Sequence, residues 1–238
     1  SAYSERADVS FSKRTAIMDI TVAKDSDADM TPEITATLTN TGSSGSIPSG
    51  SVMFAINQNG VIKFLSVDVE SDGTATLSNW TAPKAGVYAI VADYSGNRVF
   101  NPVRTETIAL LGTKSGFWME YPDKIVYGDS VTTEISKYED TDGSITKTPL
   151  SDLPGYTVSY KIYRQYVPGG PKWTLMDEGD DYFISGDTIT PAEMDTYKVD
   201  ATITEDSSGD TVTALTQVLW MSKRPLTLTA PTSTAPQD

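Results

Sequence analysis

The chain has 238 residues, 32 acidic and 18 basic side chains, a formal net charge of −14, and no Cys or His. A disulfide framework, a thiol nucleophile, a thiolate or imidazole zinc site and a Ser-His-Asp triad are therefore excluded. The negative charge argues against nucleic acid and anionic membrane as partners, because both need clustered Lys and Arg.

The composition favours an all-β protein. Thr and Ser, at 32 and 25 residues, dominate the chain, and 17 Gly and 13 Pro are spread along it. Threonine is β-branched and polar, so it suits the solvent face of a half-buried sheet. Runs with a helical period are hard to find, and a single helical turn is the most we expect, at residues 191–194.

The first half alternates apolar and polar residues with a period of two. Ile34, Ala36 and Leu38 are separated by threonines, which is typical of a strand with one buried face. The Asn59-Gly60 pair is a strong hairpin signal. Residues 40–50 are rich in Ser and Gly, which predicts a loop. The pattern predicts strands at residues 16–22, 34–39, 52–56, 61–69, 74–77, 86–94 and 104–110.

The second half repeats this plan with longer loops. It predicts strands at residues 130–136, 156–163, 172–176, 182–184, 188–190, 197–204 and 212–221. We place the boundary between the halves at 112–115, which gives domains at 1–111 and 112–224. Trp80, Trp118 and Trp220 are expected in cores or at the domain junction, with Trp118 between the two sandwiches.

The ends of the chain suggest a piece of a longer tandem array. Ser12-Lys13-Arg14 recurs as Ser222-Lys223-Arg224, and an alternating apolar run follows each copy. We interpret residues 225–238 as a tail that could form the first strand of a further domain. Residues 1–12 do not resemble a signal peptide, and the longest apolar run, 87–92, is too short to span a membrane. Direct membrane insertion is therefore not expected.

Three blocks of the first half resemble bacterial immunoglobulin-like (Ig-like) repeats of group 3 from surface and secreted proteins. Residues 48–54 read PSGSVMF, residues 72–77 read DGTATL and residues 86–97 read GVYAIVADYSGN. The resemblance implies an Ig-like β-sandwich. Tyr88 stands two residues before Ile90, where Ig domains place a tyrosine before their second cysteine, so its hydroxyl is expected to bond back to the backbone.

The second half is similar to Ig-like modules of large bacterial surface proteins. Residues 127–132 read YGDSVT, and residues 223–230 read KRPLTLTA, like a linker followed by a first strand. Tyr197 and Val199 repeat the spacing of the tyrosine and the cysteine position. The fold expected for the whole chain is all-β, with two tandem immunoglobulin-like β-sandwiches.

Acidic loops raise the question of calcium. Residues 25–29 open like an EF-hand loop, but Met30 and Ala36 stand where that loop needs Gly and Glu. Loops that converge from two domains could still supply oxygens, although solvated turns explain the same residues. No cofactor is therefore expected, and the weak calcium candidates are Asp25, Asp27, Asp29, Asp140 and Asp142.

One hairpin combines aromatic and basic side chains. Exposed aromatic rings beside hydrogen-bonding groups suit recognition of sugars or peptides, whereas buried rings would only support the sandwich. The candidate ligand-binding residues are Tyr163, Arg164, Tyr166 and Trp173.

The sequence favours a non-catalytic module of a bacterial cell-surface or secreted protein, located outside the cell. Its role would be that of a spacer or stalk with a possible adhesive contribution, and its partners would be neighbouring domains of a longer chain. The alternatives are an adhesin module that binds a host or wall glycan or protein through the 163–173 hairpin, and an accessory domain of a surface hydrolase. No catalytic residue is assigned.

Overall fold

A computed structural model describes residues 12–42, 45–120, 125–126, 128–165, 172–180, 182–186, 188–191 and 196–222. Contacts divide the chain into two compact units. The first unit comprises Ser1–Trp118 and Ser136–Leu153. The second unit comprises Met119–Ile135 and Pro154–Asp238.

The strands of the first half follow the predicted ones to within two residues. They are β1 (Ala16–Ala23), β2 (Glu33–Asn40), β3 (Ser51–Gln58), β4 (Val61–Asp68), β5 (Thr74–Leu77), β6 (Gly86–Tyr94) and β7 (Val103–Leu111). The strands of the second half are β8 (Ser115–Glu120), β9 (Ile125–Val126), β10 (Val131–Thr132), β11 (Glu134–Thr141), β12 (Ser144–Pro149), β13 (Tyr156–Gln165), β14 (Thr174–Leu175), β15 (Tyr182–Ser185), β16 (Thr188–Pro191), β17 (Thr196–Glu205) and β18 (Thr211–Ser222). The sequence pattern missed β8, β9 and β12.

Two sheets of the first unit form a sandwich. The sheet β1-β2-β5 faces the sheet β4-β3-β6-β7 across a core of apolar side chains. Alternation decides which residues enter this core: Ile34, Ala36 and Leu38 are buried, and the threonines between them point outward. On that outer face the hydroxyls of Thr35 and Thr76 lie 3.0 Å apart across neighbouring strands.

A tyrosine corner ties β6 to the segment before it. The hydroxyl of Tyr88 donates a hydrogen bond to the carbonyl oxygen of Lys84, four residues upstream. Trp80 packs edge-on against the Tyr88 ring, with centroids 5.6 Å apart. Ile90 is fully buried in the position where many Ig domains have a cysteine. The predicted backbone bond of Tyr88 is confirmed.

The sheet β4-β3-β6-β7 is also apolar on part of its outer face. Val87 on β6 and Leu110 on β7 are directly opposite each other and are buried, although they point away from the sandwich core. Trp118 and Tyr138 pack against them. These two residues come from a further sheet, β12-β11-β8, which therefore covers this end of the outer face.

Trp118 packs against the first unit's own sheet, on Val87 and Leu110. A position between the two sandwiches, as expected from the sequence, stays a prediction. The strand that carries Trp118 runs close to β6, because a Cβ on Gly116 would lie 2.7 Å from Cγ2 of Val87. Since β8 follows β7 after three residues, the chain folds back onto the sandwich as soon as it leaves it.

The compact units differ from the domain boundaries expected from the sequence. Residues 136–153, which carry most of β11 and all of β12, fall with the first unit because the hairpin β11–β12 joins β8 in the covering sheet. The chain thus passes between the units at 118, 135 and 153. Domain boundaries at 1–111, 112–224 and 225–238 remain predictions.

The second unit is also built from two sheets. The sheet β14-β13-β17-β18-β9 and the sheet β10-β16-β15 contribute the residues of its core. Ile162, Tyr197 and Val199 are almost completely buried there, so the tyrosine and the residue in the cysteine position both serve the core. The predicted fold class, all-β with two immunoglobulin-like sandwiches, is confirmed.

A few details complete the fold. Within the described ranges, a 3-10 turn lies at Leu150–Asp152, where none was predicted. The helical turn predicted at 191–194 falls mostly outside the described residues, and Pro191 itself ends β16. No helix in the described part of the chain is both long and apolar enough to cross a membrane.

Two glycines of the first unit separate the effect of backbone strain from that of steric contact. Gly73 and Gly143 have similar positive φ, 91° and 83°. A Cβ on Gly73 would lie 2.7 Å from the carbonyl oxygen of Leu38, whereas a Cβ on Gly143 would meet open space.

We expect Gly143→Ala to lower the free energy of unfolding by about 1 kcal/mol, the cost of a left-handed alanine. Gly73→Ala should cost about 2–4 kcal/mol, because the contact with Leu38 adds to the strain. Urea unfolding midpoints of the two variants measure the difference. If Gly73→Ala and Gly143→Ala shift the urea midpoint equally, Gly73 is required only for its positive φ.

Candidate functional site

Both groups of acidic calcium candidates lie at one end of the first unit. The loop after β1 is joined to the chain after β7, because the Gly112 N–H donates to the Asp29 carbonyl oxygen at 3.0 Å. The end of β11 joins the same region, where the Asp140 N–H donates to the Lys114 carbonyl oxygen at 2.8 Å. We call this region, defined by Lys24, Asp27, Asp29, Lys114 and Asp140, the acidic junction.

Lys24 is the central cation of the acidic junction. Its Nζ lies 2.8 Å from Oδ2 of Asp140 and donates a second bond to the Leu110 carbonyl oxygen at 3.1 Å. The two side chains are only 17% and 6% exposed. Oδ1 of Asp140 accepts the Gly143 N–H at 2.9 Å. This pair ties the β11–β12 hairpin to the strand ends of the sandwich.

The contacts of Asp140 keep it ionised. The hydrogen bond from Lys24 holds the pKa of Asp140 below its ordinary value of 3.8, and the Gly143 N–H and the charge of Lys24 act in the same direction. Partial removal from water opposes the shift but does not reverse it.

The other acids of the acidic junction are also engaged. Oδ2 of Asp27 lies 3.0 Å from the exposed Nζ of Lys114. Asp29 accepts the Thr31 N–H and hydroxyl at Oδ1 and the Asp25 N–H at Oδ2. The backbone bonds from Thr31 and Asp25 are the main reason that the pKa of Asp29 is lowered.

The calcium site remains a prediction without geometric support. Over the described ranges, no three acidic side chains come together in a group that could hold a metal ion. Lysine ammonium groups lie against Asp27 and Asp140, and Asp29 serves as a turn cap. Asp25 and Asp142 are exposed. The sequence pattern could not separate these uses, because Asp is common in turns and in metal loops alike.

Strands β13 and β14 of the aromatic hairpin pair with each other, and two of its candidate residues, Tyr163 and Arg164, lie on opposite faces of the sheet. Strand β13 pairs antiparallel with β14, and Tyr163 lies opposite Leu175. Tyr163 and Arg164 are consecutive in the strand, so they point to opposite faces of the sheet. Trp173 is half-buried just before β14, and Tyr166 lies outside the described residues.

The ring of Tyr163 already has a partner. Nζ of Lys198, on the neighbouring strand, lies 3.9 Å from the ring centroid. The same ammonium is 3.0 Å from Oδ2 of Asp200, whose Oδ1 accepts the Thr216 hydroxyl at 2.8 Å. This network occupies the outer face of the second unit's larger sheet. One face of the Tyr163 ring is therefore covered by a cation.

The sequence analysis missed two surface features. The first is an exposed apolar face on β4, an edge strand of its sheet, where Val61, Ile62 and Phe64 are 74%, 50% and 61% exposed. The sequence carried a signal for this exposed apolar face, because apolar residues at 62, 64, 65 and 67 occupy both faces of a period-two strand. Lys63 shares the face of the buried Ile56, and an inward-facing charge of this kind discourages pairing at a sheet edge.

The second feature is a shallow groove of about 320 Å³ beside β2 and the following loop. Its lining includes Asn40, Ser46, Ile47 and Asp72. Asn40 donates to the Ser46 carbonyl oxygen and accepts the Gly42 N–H, while Asp72 caps Thr74. These polar groups stabilise the loop and the turn.

The acidic junction predicts a particular dependence of stability on pH. A carboxyl group with a lowered pKa stabilises the fold above its ordinary pKa of 3.8, and this contribution disappears as pH falls through the lowered value. Asp140→Asn should therefore reduce the free energy of unfolding by about 1 kcal/mol near neutral pH. The difference from the unmodified chain should shrink towards zero at about pH 2.

Urea titrations across this pH range measure the effect of Asp140→Asn. The matched control is Asp27→Asn, because its pair with Lys114 is exposed and should contribute little at any pH. A constant difference at all pH values would mean that the ion pair with Lys24 is not the source of the stability.

Comparisons with known proteins agree with the sandwich fold. Residues 20–110 match the family model of the bacterial Ig-like domain, group 3. No curated protein matches the sequence.

Among solved structures, a tetra-tandem repeat in the extending region of a large adhesion protein is 12% identical, with a TM-score of 0.34. The match covers 87% of this chain and 49% of that one, so this chain spans about half its length. The fibronectin(III)-like modules of Clostridium thermocellum CbhA are 12% identical, with a TM-score of 0.25, over 87% of this chain and 94% of theirs. An alpha-2-macroglobulin from Escherichia coli is 13% identical, with a TM-score of 0.28, over 87% and 16%.

These TM-scores are too low to carry an argument about function. The family match covers the strands from β1 to β7 and includes the tyrosine corner at Tyr88. The similarity to the bacterial Ig-like domain of group 3 therefore concerns residues 20–110, which form the sandwich of the first unit.

Proposed function

We propose that the chain is a non-catalytic spacer module of a bacterial cell-surface or secreted protein, located outside the cell. The observation that carries this proposal is the covering sheet of the first unit. Trp118 and Tyr138 pack on Val87 and Leu110, so the chain leaving the sandwich is held in a packed strand. A spacer needs modules that stay folded, and burial of Val87 and Leu110 under this sheet stabilises the first unit.

The polar contacts of both units support the same proposal. Lys24 and Asp140 bind the hairpin β11–β12 to the sandwich, and the outward threonines of β2, two half-buried and one exposed, form a polar face that suits an extracellular surface. One candidate recognition residue, Tyr163, is engaged within the fold by Lys198. Neighbouring domains of a longer chain are the partners that this proposal requires.

The role of a spacer is tested by replacement on a cell surface. A reporter peptide is displayed at the N-terminus of the full chain, which is fused to a wall anchor, and antibody binding to the reporter is measured. Deletion of the chain should reduce this binding to background. An unrelated pair of sandwich domains of similar length should restore it, because a spacer acts by its size and stiffness.

A spacer role is contradicted if antibody binding to the reporter is restored by this chain but not by the unrelated pair of domains. That result would mean that specific surface residues contribute, as an adhesin or an accessory domain of a hydrolase would require.

The adhesin alternative is tested by retention of the purified full chain on mucin, host matrix proteins and bacterial wall glycans. A spacer should pass without saturable retention, and Trp173→Ala should behave identically. The matched control is Phe183→Ala, which removes a 56% exposed aromatic side chain elsewhere in the second unit.

Saturable retention that is lost in Trp173→Ala and kept in Phe183→Ala would overturn the spacer proposal and assign binding to the hairpin. A chelated sample is run in parallel. Retention that is lost only in the chelated sample would support a calcium site at the acidic candidates.

A further inference from the structure

Strand β4 is a long edge strand with apolar side chains on its outer face. It covers Val61–Asp68, and β3 is its neighbour in the part of the chain that the structure describes. Ile62, Phe64 and Met53 of the neighbouring strand are all about half exposed or more. The three side chains share the outer face, because Met53 lies opposite Ser66, two residues along from Phe64.

The other long edges of the first sandwich carry charged side chains to solvent. Strand β1 presents Asp19, and strand β7 presents Arg104 and Glu106. Exposed charges of this kind protect an edge from pairing with another strand. Over residues 61–67, β4 has a single charged side chain, Lys63.

The apolar surface of β4 continues the surface that the covering sheet buries. Ala89 and Ile108 are partly buried and pack against the cluster around Trp118. Ile62 lies in the same row across the sheet, two strands away from Ala89. Since Ile62 is half exposed, no described residue extends this cover as far as β4.

The register shows which backbone groups of β4 face the open edge. The Val69 N–H donates to the carbonyl oxygen of Gly50 at 2.8 Å, and these two residues continue the register of β3 and β4 as a hydrogen-bonded pair. Such pairs alternate along an antiparallel ladder, so the N–H and C=O groups of Ile62, Phe64 and Ser66 point away from β3. They form a template for one further strand.

The position of Lys63 argues against β4 of a second copy as that strand. In any antiparallel pair of two β4 strands, the outward groups at 62, 64 and 66 face each other. Lys63 then lies opposite Val61, another Lys63, Leu65 or Val67, and none of these is an acid. Each copy also carries a net charge of −14. The few exposed side chains fall short of the roughly 800 Å² per partner that a stable interface between two folded proteins buries.

We propose that the edge of β4 binds an extended segment of another protein, in which one Asp or Glu stands among alternating apolar residues. Added as an antiparallel strand, the segment bonds to the outward groups of Ile62, Phe64 and Ser66, and its acid lies opposite Lys63. Residues opposite each other at this position exchange no backbone bonds, so their side chains approach closely. Apolar residues on the other face of the segment cover Ile62 and Phe64.

This interaction goes beyond the proposed spacer role, because display of a reporter needs no ligand on β4. Lys63 gives the edge its selectivity. An uncharged strand would leave the ammonium group without a partner, whereas an acid forms an ion pair with it across the two strands.

Binding is measured by fluorescence anisotropy of labelled short peptides titrated with the full chain. The probe peptide TVTVEVTVT places its glutamate on one face of a strand and its valines on the other. The control peptide TVTVKVTVT differs only in its central lysine. We expect saturable binding of the glutamate peptide and about fivefold weaker binding of the lysine peptide, because like charges replace opposite charges at Lys63.

Two kinds of variant locate the binding at the edge. Lys63→Glu should reverse the order of the two peptides, because it changes the sign of the charge. Ser66→Pro removes an outward N–H that makes no bond to β3, whereas Ser66→Ala keeps it. Ser66→Pro should bind the glutamate peptide about fivefold more weakly than Ser66→Ala. If Ser66→Pro does not fold, the reversal in Lys63→Glu decides.

Absence of saturable binding, equal binding of the two peptides or an unchanged order in Lys63→Glu would overturn the docking site. Equal binding by folded Ser66→Pro and Ser66→Ala would also overturn it. Sedimentation of the chain without peptide tests the other occupant, and we expect a monomer. A dimer that dissociates in Phe64→Ser would contradict the proposal and assign the edge to a second copy.

Discussion

The arrangement of the first unit depends on one sheet that is apolar on both faces along β6 and β7. Its inner face supplies Ile90 and Tyr88 to the sandwich core, and its outer face presents Val87 and Leu110. A sheet of this kind cannot leave its second face in water without a large loss of hydrophobic free energy. The covering sheet with Trp118 and Tyr138 satisfies this requirement. The close approach at Gly116 and the ion pair between Lys24 and Asp140 position it.

The fold is stabilised without disulfides, by contacts that replace their effect locally. Ile90 fills the position of a core cysteine, and the tyrosine corner at Tyr88 fixes the chain before β6. Lys24 then connects segments that lie 116 residues apart in the sequence. Long-range contacts of this kind restrict the chain much as a cross-link does, although each is weaker than a covalent bond.

Much of the strand pattern could be predicted from the sequence, because a period of two is a local signal. Residues 34–38 read directly as a strand with one buried face, residues 86–94 read as a longer strand, and the turn at Asn59-Gly60 reads as a hairpin. Strand β8 could not be found in this way, because Trp118 packs on Val87 and Leu110 only in the folded chain. Strand β12 was missed although the Asp142-Gly143 turn before it carries a hairpin signal.

The candidate sites also divide into features that the sequence could predict and features that only the folded chain shows. That Tyr163 and Arg164 point to opposite faces follows from the predicted strand itself, so these two side chains could not share one face of the predicted sheet. The partner of Asp140 could not be predicted, because Lys24 comes from a distant loop. Asp29 and Asp72 act as turn caps, and their sequence context does not distinguish a cap from a metal ligand.

The covering sheet also imposes an order on folding during synthesis. The strands of the sandwich are complete when the ribosome has made Leu111, but Tyr138 and the rest of the hairpin β11–β12 come later. Until they emerge, Val87 and Leu110 remain bare on a sheet that is otherwise formed. Nascent chains fold from the N-terminus, and exposed apolar surface at that stage attracts other chains. The first module is therefore most exposed to misassembly in this interval, and a gene fragment that ends at residue 111 would make that intermediate permanent.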